Sequence, residues 1–203
     1  MKKTIVVIIM AAALASAETL TLVSAGPAND GAYYTGFYGL TVANPPAIPE
    51  PILGLCLSAA VEIGTGYSWQ AELLSLPDYE TAAGLTAQQG DELAYLWTQI
   101  AANPVPAMND AVWTIAGVPE HGAGVAATDY WIGQAQANYL SINPAQFQVW
   151  TPENSAGALD LGASQPFMVD TPVNTTPDPA TFSLLGAGLL GLGAVWRRKQ
   201  KQG

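Results

Sequence analysis

The chain has 203 residues, half of them apolar, with sixteen Asp and Glu against six Lys and Arg and a net charge of −10. That is apolar enough to exclude a disordered tract and long enough for a domain with a proper core. All six basic residues lie at 2, 3, 197, 198, 199 and 201, so the stretch between them has no Lys or Arg to set against nucleic-acid phosphate or anionic lipid headgroups.

Lys2 and Lys3 precede an apolar run from Ile5 to Leu14, and Ala15-Ser16-Ala17 follows as a small-x-small site. This three-part pattern predicts a secretory signal peptide over 1–17, cleaved after Ala17. The expected extracytoplasmic domain then covers 18–170.

Its first half has strand character. "ETLTLVSAG" alternates around Leu20 and Leu22. "AYYTGFYGLTV" is aromatic and β-branched, with turn-forming residues on either side. Tyr34, Tyr38 and Leu40 share one face of it, Tyr33 and Phe37 the other, so both faces are expected to pack. "PILGLCLSAAVEI" places Leu55-Cys56-Leu57 on a strand, and "GYSWQAELLSL" forms another that ends at Pro77.

The period then changes. Thr86 with Gln89 has the form of a capping box. Leu93, Leu96, Trp97 and Ile100 follow at helical spacing. Helices are expected near 86–102, 107–116 and 129–140. The second presents Met108, Ala111, Val112 and Ile115, the third Trp131, Ile132, Ala135 and Tyr139. Strands return at "QFQVW" and "PFMV". The fold class this predicts is α+β: a β-sandwich-like domain with a helical insert.

The end of the chain reads as an address. A polar, proline-rich linker (171–181) carries Pro177-Asp178-Pro179, a Leu/Gly-rich run follows at 182–196, and Arg197, Arg198 and Lys199 open a basic tail over 197–203. The run is short for a span of roughly 20 residues, and the basic cluster would stay cytoplasmic. The expectation is a single transmembrane sorting helix. The layout resembles the PEP-CTERM sorting signal of many Gram-negative bacteria, with Asp178 where that family usually has Glu. The resemblance implies a membrane-bound exosortase as processing partner after the secretion machinery. It also implies a final place at the cell surface or in an exopolysaccharide matrix, with exopolysaccharide a candidate partner in biofilm or adhesion.

Chemistry-bearing residues are few. His121 stands alone in a glycine-rich loop, and no hydrolase, metalloprotease, P-loop or EF-hand motif occurs. The expectation is a non-enzymatic protein without metal or cofactor. A glycan- or calcium-binding module using the aromatic strand and surface acids is an alternative. Cys56 is the one cysteine, so it is a buried thiol, an intermolecular bridge or a reactive group.

Leu55-Cys56-Leu57, "GTGYSWQAEL", "ELAYLWTQI", "NDAVWTIAG" and a late "QPFMV", in this order, resemble a domain of PEP-CTERM surface proteins that is itself similar to the thioester domains of Gram-positive adhesins. In those domains a Cys thiol joins a Gln side chain from a Gln-x-Ala-x-Trp motif with loss of ammonia. The product is a stored electrophile that an amine can open. The resemblance implies a Cys56 thioester and a covalent adhesin as an alternative function. Asn109-Asp110-Ala111-Val112-Trp113 stands in the place of the motif, which makes Asn109 the candidate carboxamide, one methylene shorter than Gln. Gln99 is a second candidate. Because 4–196 holds no lysine, no ε-amine of the body could consume such a bond.

Overall fold

Four stretches, residues 17–29, 33–43, 51–119 and 122–170, are described by the computed structural model. In chain order the elements are β1 (Glu18–Ser24), β2 (Ala28–Asn29), β3 (Tyr34–Thr35), β4 (Phe37–Val42), β5 (Ile52–Cys56), β6 (Ser68–Ser75), α1 (Leu76–Ala83), α2 (Ala87–Ala102), α3 (Pro106–Ile115), α4 (Val125–Asn138), β7 (Phe147–Pro152) and β8 (Phe167–Asp170). Short 3-10 turns at Tyr139–Ser141 and Pro144–Gln146 lead from α4 into β7.

Six strands close into an antiparallel barrel in the order β1-β4-β5-β8-β7-β6. Closure is made by β1, which pairs with β4 on one side (Leu22 opposite Leu40) and with β6 on the other (Leu20 opposite Trp69). The expected sandwich is therefore corrected to a barrel. Apolar residues on both faces of a strand satisfy either architecture. Here one face fills the barrel, and on β5, β7 and β8 residues of the other face pack on helices. Leu20, Leu22, Tyr38, Leu40, Trp150 and Phe167 form the interior cluster, a side-chain-filled centre as expected for a small barrel. Leu55, Phe147, Val149 and Met168 of the same strands belong instead to a second cluster with the helices. Each fully buried Leu adds about 1.5–3 kcal/mol of apolar stabilisation.

All four helices lie between β6 and β7, which are themselves paired neighbours. The first was not expected. Pro77 occupies the opening turn of α1, where its missing N–H costs nothing. The Ser75 side chain accepts from the Asp78 N–H, and Gly84 ends the helix at φ 69°. Helix α2 begins with the full capping box: the Thr86 N–H donates to Gln89 Oε1 at 2.9 Å, and the Gln89 N–H to Thr86 Oγ1 at 3.2 Å. Helix α4 starts four residues earlier than expected. Of its expected inward residues only Ala135 is fully buried, with Trp131 and Ile132 half-buried.

The described residues belong to one compact unit that ends at Asp170. None of their helices is long and apolar enough to cross a membrane, and the fold as described is a barrel with four helices. The expected span at 182–196 lies outside the described residues. So do Ala15, Pro177, Asp178, Pro179, Arg197, Arg198, Lys199 and His121.

Candidate functional site

Cys56 is the last residue of β5. Strand alternation turns Gly54 and Cys56 toward the barrel interior, and Leu55 and Leu57 toward the helices. The interior is crowded there: a Cβ on Gly54 would lie 2.6 Å from Leu40 Cδ1 and 3.1 Å from Phe167 Cβ. Cys56 pairs with Phe167 of β8, and the Leu57 N–H donates to the Pro166 carbonyl at 3.0 Å. Continuing that register sets Gln165 opposite Ser58, on the same face as Cys56 and diagonal to it.

The consequence is a contact between the thiol and a carboxamide. Cys56 Sγ lies 3.3 Å from Gln165 Oε1 and 3.0 Å from the Ser58 carbonyl oxygen. Gln165 Nε2 donates to the Val61 carbonyl, so the amide is held from its nitrogen side while its oxygen faces the sulfur. Cys56 is wholly inaccessible and Gln165 is 8% exposed. Burial pushes the thiol up to about 12, an effect that the Ser58 backbone and the Trp113 side chain only partly offset. Burial, with the Cys56 sulfur nearby, likewise pushes Tyr79 of α1 upward.

The two carboxamides singled out from the sequence are elsewhere. Asn109 Oδ1 accepts the Gly36 N–H at 2.9 Å, and its Nδ2 is buried without a partner. Gln99 Nε2 donates to the adjacent Thr98 Oγ1 at 3.2 Å. Neither hydrogen-bonds the thiol. The Asn-Asp-Ala-Val-Trp stretch acts as a clamp around the site. Asn109 ties α3 to the β3–β4 link, Asp110 Oδ2 accepts the Ala123 N–H at 2.8 Å, and Trp113 Nε1 donates to the Cys56 carbonyl at 3.0 Å.

A cavity of about 320 Å³ reaches Gln165 from outside. Tyr33, Tyr34, Tyr38 and Trp113 line it, with Glu62 as the one carboxylate among its lining residues. Cys56 is not part of that lining, so the carboxamide stands between the cavity and the sulfur. Along the aromatic stretch Tyr33 packs on Trp113, Phe37 on Trp97 and Tyr38 on Phe167, and Tyr34 is left exposed. Among the described residues no group of three or more His, Cys, Asp or Glu could hold a metal ion.

Compared with family models, curated proteins and solved structures, the chain matches none.

Proposed function

We propose that this is an exported, surface-sorted, non-enzymatic protein whose barrel stores an internal thioester between Cys56 and Gln165 and uses it as a covalent tether. The contact of Cys56 Sγ with Gln165 Oε1 at 3.3 Å, with the sulfur wholly inaccessible, carries the reading. Formation is an acyl transfer. Sγ bonds to Gln165 Cδ, the Cδ–Nε2 bond breaks, and the thiol proton leaves with the nitrogen as ammonia. Orientation by neighbouring groups and exclusion of water are what such a step requires. Storage follows from the same burial. Cys56 is wholly inaccessible and Gln165 only 8% exposed, so water has little access to the bond.

Export and sorting are supported by the sequence. Positive charge is confined to the two ends, each beside an apolar run, and the Pro177-Asp178-Pro179 motif precedes the second. A tether exposed at a cell surface or in a surrounding matrix must also avoid reacting with its own chain, and the absence of lysine from 4–196 meets that need.

Maleimide labelling of the denatured full-length chain tests the reading. Before amine treatment the expected incorporation is nil, because the sole thiol is acylated. After methylamine treatment of the folded chain it is one label per chain. One label on the untreated chain would contradict the proposal.

A further inference from the structure

The cavity that ends on Gln165 has a chemistry of its own. Its walls carry four aromatic side chains among aliphatic ones, with Tyr34 58% exposed at the surface and Trp113 buried beneath. Glu62, an exposed residue, is its one carboxylate, and no Lys or Arg between 4 and 196 can neutralise it. Aromatic faces and a carboxylate together favour an alkylammonium over a neutral or anionic group. The volume, about 320 Å³, accommodates an unbranched aminoalkyl chain.

We propose that Glu62 and this tyrosine-lined cavity determine the specificity of the tether, selecting a positively charged primary alkylamine and delivering it to the acyl carbon of Gln165. The inference rests on the thioester reading above. The ammonium docks between Glu62 and the tyrosine rings and loses one proton to solvent. The free amine then attacks Cδ. The Cδ–Sγ bond breaks, one N–H proton passes to sulfur, and the products are a secondary amide at residue 165 and a free Cys56 thiol. Glu62 touches the docked cation and not the reacting carbonyl, so it is a specificity residue and not a catalytic one.

The test compares three nucleophiles on the full-length chain by intact mass against time. Cadaverine represents free diamines, Nα-acetyl-lysine amide represents protein lysines, and hydroxylamine is small and uncharged near neutral pH. In Glu62→Gln, reaction with both cations is expected to slow about fivefold, the scale of one partly exposed charge contact, while hydroxylamine reacts at the unaltered rate. Glu62→Asp should recover part of the loss. In the original chain, added salt should slow the cations and not hydroxylamine. Slowing of cadaverine alone would assign the cavity to free diamines, and slowing of both cations to the aminoalkyl group they share. Equal slowing of all three probes, or of none, overturns the role of Glu62 and leaves the thioester standing. A chain of full mass that adds none of the probes overturns both.

Discussion

The role proposed for Cys56 depends on one neighbour, and that neighbour is 109 residues away in sequence. Replacing Gln165 with Ala should leave a free but buried thiol that labels only on unfolding. Replacing Asn109 with Ala should behave differently. It removes the acceptor of the buried Gly36 N–H, costs about 1–3 kcal/mol in urea unfolding, and leaves Cys56 acylated. Gln99→Ala, whose side chain bonds its neighbour Thr98, should change stability by less than about 0.5 kcal/mol. A thiol liberated by Asn109→Ala in the folded state would contradict this division of roles. The cysteine was legible because it is single and flanked by Leu55 and Leu57 on a strand. Its partner was not. Local motif spacing pointed to α2 and α3, whereas the contact is fixed by the pairing of β5 with β8, and nothing within "QPFMV" announces that register. The Asn-Asp-Ala-Val-Trp stretch was singled out for the Asn109 carboxamide, which instead accepts the Gly36 N–H, while Trp113 of the same stretch donates to the Cys56 carbonyl at the end of β5.

At the scale of elements, periodicity and capping chemistry carried most of the information. The capping box of α2 is readable from Thr86 and Gln89 alone, and Thr86→Ala should cost about 1 kcal/mol by thermal unfolding. Helix α1 escaped notice because Pro77 ends a strand and opens a helix with equal ease, and only the Ser75 cap distinguishes the two. Strand β5 is constrained more tightly than its sequence suggests. Gly54→Ala would press on Leu40 and Phe167, an overpacking that costs about 1–3 kcal/mol. Because Phe167 pairs with Cys56, the same substitution should also lower the fraction of chains carrying the thioester. Unfolding midpoints with thiol counts on one preparation check both effects, and an unaltered thiol count would separate Gly54 from the site.

For the whole molecule, barrel closure was the feature the sequence left open. Two packed faces per strand do not say whether the first strand finds one neighbour or two, and β1 finds two. The acidic composition has a consequence for stability. Burial raises Glu18, Glu80, Asp91, Glu153 and Asp170 above the ordinary carboxylate range, with Asp91 adding to the effect on Glu80 and Glu72 to that on Glu153. The folded chain therefore keeps protons that the unfolded chain has already lost. Stability is greater on the acid side and falls as pH rises through those raised values. Tm should be higher near about pH 5 than near about pH 7.5, and a lower Tm at the acid end would contradict the assignment.

The most direct test of the central claim is the intact mass of the purified full-length chain beside its Cys56→Ala and Gln165→Ala variants, each before and after methylamine. The unsubstituted chain alone is expected to be lighter than its sequence by one ammonia, with methylamine restoring that loss as an adduct located on residue 165. A chain of full mass, or an adduct on Asn109 or Gln99, would contradict it.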